Sequence, residues 1–167
     1  MVDLVEIQSV YYMAAATGVL IAAIYYVYNV RATQRNLKQT LETRQTQLFM
    51  VLYEVFRNKE FQRDIATIYN VWNWENYDDF EAKYGRTTHP DEYSSYTSVT
   101  NFFGGLGVLV KRKMIDPSLV KDLMGGVITR YWEKIEPLTK ETRIRRNWPE
   151  INDTTEYLYN VMKQYYK

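Results

Sequence analysis

Two adjacent aspartates, a lone histidine and two glutamates one helical turn apart are the groups in this 167-residue chain whose types and spacing could do chemistry. Asp78 and Asp79 form an acid pair, but carboxylates at the start of a short helix are favoured there by the helix dipole without further duty. His89 precedes Pro90 in a polar connection, where a histidine more often caps or meets solvent than acts as a general base. Glu133 and Glu136 share a helix face, as in carboxylate-bridged metal sites, yet no Glu-x-x-His partner exists in the chain. The absence of cysteine excludes disulfides, thiolate nucleophiles and Cys-ligated metals. "GGLG" at 104–107 is followed by no Gly-Lys-Ser/Thr and preceded by no strand, so it is not a phosphate loop. No cofactor and no metal is expected, and the chain does not read as an enzyme.

Two basic clusters remain, Lys111, Arg112 and Lys113, and Arg143, Arg145 and Arg146. With Lys+Arg of 21 against Asp+Glu of 20 there is no broad positive field, and aromatic and basic residues are not interleaved, so nucleic acid is not an expected partner. Beside a bilayer each cation near anionic headgroups contributes about 1 kcal/mol, which makes these six residues, with Arg31, Arg35 and Lys38, candidates for headgroup contact. For the two clusters the reading preferred over that is pairing with nearby glutamates on a solvated surface.

The elements that would position these groups begin with a membrane span. No charged residue occurs from Ile7 to Val30, a run of 24, which at about 1.5 Å per helical residue covers a hydrocarbon core of ~30 Å. Tyr11 and Tyr12 mark one end, and Tyr25, Tyr26 and Tyr28 the other, as amphipathic rings do at headgroup layers. A cleaved leader is the alternative, but Asp3 and Glu6 stand where a signal peptide carries cations. Arg31, Arg35 and Lys38 follow the span, so the expected topology in the cell membrane is N-terminus outside and the C-terminal domain cytoplasmic. Asn152-Asp153-Thr154 matches a glycosylation acceptor but reads as helix-capping chemistry. Ala14, Gly18 and Ala22 put small residues on one face, which would admit a second membrane helix.

The organisation expected is a short N-terminal segment and anchor over 1–30, a polar juxtamembrane helix over 31–47 and a helical domain over 48–167. The juxtamembrane helix has no Gly or Pro and continues the span. It reads first as a solvated spacer about 25 Å long; the alternative is a short heptad seam through Leu37, Leu41, Leu48, Val51 and Val55, interrupted by Arg44.

Beyond it, Asn58 caps a helix through Phe61, Ile65, Ile68 and Trp72. "NWENYDDFEAKYG" makes a short one that Gly85 ends in a left-handed cap. Pro90 opens a third, through Tyr96, Val99, Phe103, Leu106 and Val110. Asp116 and Pro117 open a fourth with the widest apolar stripe, expected to be the most buried, which Pro137 interrupts before a short basic helix. A last helix uses Leu158, Val161 and Met162. No strand alternation is visible, so the class is all-α, a bundle of about four to six helices. Gly104-Gly105 and Gly125-Gly126 lie about equally far from the turn near Ile115. Since each helical glycine costs on the order of 1 kcal/mol, a close crossing of these two helices is expected, with a break or hinge at "FGGLG" as the alternative.

The stretches "ETRQTQLFMVLYEVFRNKEF", "FFGGLGVLVKRKMID" and "RYWEKIEP", within residues 42–137, resemble an uncharacterised prokaryotic family, a domain of unknown function in small proteins with one N-terminal membrane helix and a helical cytoplasmic part. They are core and turn patterns, and the resemblance carries no assigned activity or functional residue. The function expected is a membrane-anchored interaction or scaffolding module, in a homo-oligomer or with another membrane protein, with the lipid bilayer as its first partner. The alternatives are an enzyme or small-ligand sensor using polar residues in a helical pocket, or an accessory subunit of a transporter.

Overall fold

Capping chemistry sets three of the helix starts. In the computed structural model, which describes residues 4–165, Asn58 accepts from the Glu60 amide at 2.8 Å, Asn76 from the Asp79 amide at 3.0 Å, and Asp116 from the Ser118 amide at 2.8 Å. Each satisfies an amide that the first turn leaves unpaired. The helices are α1 (Leu4–Arg57), α2 (Lys59–Asn70), α3 (Tyr77–Tyr84), α4 (Pro90–Lys111), α5 (Pro117–Arg145) and α6 (Asp153–Gln164). Among the described residues there is no strand, and the class is all-α. Asn58→Ala is expected to cost about 1 kcal/mol, the usual value of a lost N-cap, in urea unfolding followed by circular dichroism.

The chain divides into two compact units, 1–44 and 45–167, three residues before the boundary expected at 48. The first is the N-terminal part of α1; Asp3 lies outside the described residues. Its long apolar side chains are uncovered, Val19, Ile24 and Tyr26 among them at 69%, 70% and 71% exposed. The Thr17 hydroxyl donates to the Met13 carbonyl at 2.8 Å, so a polar group inside the apolar run is satisfied by its own helix.

The second unit holds the core. Residues 45–57 of α1 bury Phe49 and Phe56, and an aromatic run passes through Phe56, Phe61, Phe102 and Phe103 to Tyr131 with centroid separations of 4.8–6.4 Å. α5 contributes the most buried residues, including Val120, Ile128, Tyr131, Trp132, Ile135 and Leu138. Trp72 stacks on Tyr84 at 4.2 Å, tying the α2–α3 connection to the end of α3.

Four expectations need correction. Pro137 does not interrupt α5, which runs through it to Arg145. A proline inside a helix gives up one hydrogen bond, and burial of Ile135, Leu138 and Thr139 on both sides of it keeps the helix in place. Gly85 is extended, not left-handed, with φ −72° and ψ 157°. "FGGLG" is neither break nor hinge but continuous helix. The close glycine crossing is between α4 and α6. A Cβ on Gly104 would meet the hydroxyls of Thr154 and Thr155 at 3.3 and 3.4 Å, and one on Gly107 would lie 2.9 Å from the Thr154 carbonyl carbon, whereas Gly105 and Gly126 have nothing within 4 Å. Gly125 is buried in α5. α4 and α5 meet through side chains instead, Phe103 against Tyr131.

Candidate functional site

The side chains singled out in the sequence do not assemble into one site. His89 stands at the N-cap of α4 without a side-chain cap bond, its Nδ1 4.0 Å from Glu92. Asp79 accepts from Lys83 at 2.8 Å and from the Glu75 amide at 3.0 Å. Glu136 is paired with Lys140 at 2.8 Å. Among the described residues no three potential metal ligands lie together.

The 143–146 cluster is not a free basic surface. Arg145 grips Asp78 with two bonds of 2.6 and 3.0 Å, binds Glu141 at 2.8 Å and lies over the Tyr77 ring at 4.5 Å. The guanidinium holds the Asp78 carboxyl below the usual range. Arg143 meets Glu156 at 2.7 Å and donates to the Ile151 carbonyl at 2.9 Å. Both therefore fasten the end of α5 to α3 and α6, the acid-pairing reading of the two weighed for this cluster. Lys111, Arg112 and Lys113 at the α4–α5 turn, and Arg31, Arg35 and Lys38 in the first unit, are exposed. Lys111 also lies over the Tyr157 ring at 5.7 Å, and the Lys113 carbonyl accepts from Gln45 at 2.9 Å.

Two features remain uncovered. One is the outward side of α1. Leu37 and Leu41 are each 59% exposed in the first unit, while Val51 and Val55 are exposed in the second, where Leu48 is half-buried against the core. The Ala14, Gly18 and Ala22 positions are exposed, with nothing within 4 Å of Gly18.

The other is a half-open cleft of about 280 Å³ between α3, α4, α5 and the segment joining α5 to α6. Its walls include Tyr77, Phe80, Tyr93 and Tyr96 from α3 and α4, with Arg146 and Trp148 from the connection. The connection is turned by left-handed residues at Asn147 (φ 48°) and Asn152 (φ 58°), a conformation asparagine tolerates better than most. Asn152 is the expected cap position of α6, but its side chain makes no cap bond and donates instead to the Thr139 hydroxyl at 3.2 Å.

Under the cleft lies a buried hydroxyl cluster. The Thr100 and Tyr131 hydroxyls are 2.5 Å apart, Thr100 also donates to the Tyr96 carbonyl at 2.7 Å, and Thr155 donates to the Thr100 carbonyl at 3.4 Å. Burial pushes the Tyr96 phenol up to about 12, against the opposing hydrogen bonds from Thr100, Asn152 and Thr139. Burial also raises Tyr131 well above the usual tyrosine value, helped by its proximity to Tyr96. Neither hydroxyl is a ready base near neutral pH, and the Tyr131 hydroxyl, bonded to Thr100, holds the floor in one arrangement. Sequence reasoning missed this cleft, whose lining comes from positions 77 to 152 with no repeating interval.

A family model described as a domain of unknown function (DUF4760) matches residues 13–162. The match is wider than the 42–137 suggested by the sequence patterns, and it takes in much of the apolar part of α1. No curated protein and no solved structure matches the chain. Because the matched range spans both units and all six helices, the chain belongs to the DUF4760 family, a domain of unknown function.

Proposed function

We propose that the protein is a single-pass, membrane-anchored module whose domain is held at the cytoplasmic face and associates with a second copy of itself along α1. The carrying observation is the uncharged run from Ile7 to Val30, all of it exposed. Among the described residues one helix, Leu4–Arg57, is long and apolar enough to cross a membrane, and its apolar window is wholly unburied. A soluble protein's core helix of this composition would be covered. Eight Ile, Val and Leu residues in the run favour the bilayer centre by about 0.3–0.6 kcal/mol each, and no charge opposes them at about 2.5–3.5 kcal/mol. Exposed apolar area on this scale marks a surface that something covers.

Homotypic pairing is supported by the intervals along α1. Leu37, Leu41, Leu48, Val51 and Val55, with Arg44 completing the series, alternate four and three residues apart, the spacing of a coiled-coil seam. The chain contains no cysteine, so single thiols report this contact directly. In native membranes under mild oxidation, Leu37→Cys and Leu41→Cys are expected to give disulfide-linked dimers, and Gln39→Cys and Thr43→Cys at least fivefold less. Equal yields at all four positions would remove the seam. Loss of the intact chain from the membrane pellet on alkaline carbonate washing would remove the anchor.

A second reading, small-ligand sensing by the domain, is favoured by one observation: the cleft combines aromatic walls, a guanidinium and a hydrogen-bonded polar floor. Such mixtures of apolar lining and few convergent polar groups are characteristic of ligand sites.

A further inference from the structure

The charged groups of the cleft are arranged in an unusual way for a structural ion pair. Arg146 lines the cleft together with Tyr77 and Tyr93. Its nearest acid, Glu81, stands with Oε1 3.9 Å from Nη2. At that separation the two attract without sharing a hydrogen bond. The Arg145–Asp78 pair nearby, with bonds of 2.6 and 3.0 Å, shows what the same chemistry does when it closes. Both side chains are partly desolvated, Glu81 at 31% and Arg146 at 48% exposure, so each keeps hydrogen-bonding capacity facing the cleft.

The balance of charge narrows the ligand. Glu150 is the second carboxylate on the lining, its Oε2 accepting from the Trp148 indole at 3.3 Å. A simple anion would meet Arg146 but also two carboxylates, and a simple cation would meet the carboxylates but also the guanidinium. A molecule carrying both signs satisfies both. Phe80 and Leu138 supply apolar wall, with the exposed Trp148 ring at the rim. The volume of about 280 Å³ sits at the lower end of ligand pockets.

We propose that this cleft binds a small zwitterion of amino-acid size, its carboxylate on Arg146, its ammonium on Glu81 and its body between the aromatic rings. This rests on the ligand-sensing reading above and adds the chemical class.

The test uses the intact chain in mild detergent and isothermal titration calorimetry with L-phenylalanine, L-leucine and L-glutamine, each alongside its deamino acid and its decarboxylated amine. At least one amino acid is expected to bind about tenfold more tightly than both of its one-charge analogues, the value of one charged hydrogen bond. Arg146→Gln should bring that amino acid to the level of its amine, and Glu81→Gln to the level of its acid. Trp148→Ala should weaken parent and analogues alike and leave their ratio unchanged. All three side chains are partly or well exposed, and circular dichroism checks each fold. If an analogue binds as tightly as its parent, the zwitterion is overturned while ligand sensing stands. If none of the nine compounds binds, both are overturned.

Discussion

Replacing Gly107 by alanine lowers the unfolding free energy by about 2 kcal/mol, while the same change at Gly105, two residues away on α4, raises it by up to about 1 kcal/mol. The opposite signs follow from what each new methyl would meet. At Gly105 there is open space, so alanine removes the backbone entropy that glycine loses in a helix and adds nothing harmful. At Gly107 the methyl would stand 2.9 Å from the Thr154 carbonyl carbon and 3.4 Å from the Leu158 Cβ, against the backbone of α6 rather than the end of a flexible side chain. The helices must then separate, and overpacking of this kind costs about 1–3 kcal/mol. Leu158 and Met162 of α6 are wholly buried, so separation opens the core as well. Urea unfolding of the three proteins in the same detergent measures both signs. Equal and small effects at the two positions would show that α4 and α6 do not touch through Gly107.

The glycines illustrate what could be read from the sequence and what could not. Helical periodicity and the residues that start helices act locally, so Asn58, Pro90, Asp116 and Pro117 marked their helices correctly. That glycines inside a helix need a neighbour close by was also legible. Which neighbour was not, because a hairpin argument considers only adjacent helices and the crossing partner, α6, lies some fifty residues on. The paired small residues Thr154 and Thr155 were the available signal: short side chains opposite glycine are what a close approach requires. Pro137 shows the reverse failure. The local rule says break, and the apolar side chains on both sides of it, Ile135 and Leu138, override it by staying in the core.

The same division explains the candidate site. The basic run at 143–146 was visible as charge, but charge alone does not say whether it faces lipid or protein. Asp78 and Glu156, which receive Arg145 and Arg143, are distant or inconspicuous in sequence and become partners only once α3 and α6 are packed. With those two arginines engaged, Arg146 is left as the cation of the 143–146 run on the cleft. The hydroxyl cluster beneath it brings Thr100, Tyr131, Thr139 and Asn152 together from three segments. Tyrosine-rich composition hinted at amphipathic surfaces and gave no sign that Tyr96 and Tyr131 are internal.

Those two internal tyrosines make the domain sensitive to alkali. Tyr96 and Tyr131 both have pKa values raised by burial above 10, with Tyr96 at about 12. A phenol whose folded pKa lies above its unfolded value keeps its proton longer in the native state. Its contribution is therefore complete below about pH 10, where the unfolded chain also holds the proton, and is lost as pH rises toward the folded value. Between about pH 10 and 12 Tyr96 lowers stability by up to about 1.4 kcal/mol per pH unit, and Tyr131 acts with the same sign. Tyr69, whose hydroxyl donates to the Val127 carbonyl, is shifted the same way by burial and adds to the direction. The raised Lys83, Lys140 and Lys163, each bonded to a carboxylate or phenol, act with the same sign. Urea unfolding at half-unit steps from pH 8 to 12 measures the slope. Tyr131→Phe is expected to be less stable at pH 8, because Thr100 loses its 2.5 Å partner, yet to lose stability less steeply above pH 10. A variant with the original slope would mean that the Tyr131 hydroxyl reaches water in the folded protein and that the cluster under the cleft is not closed.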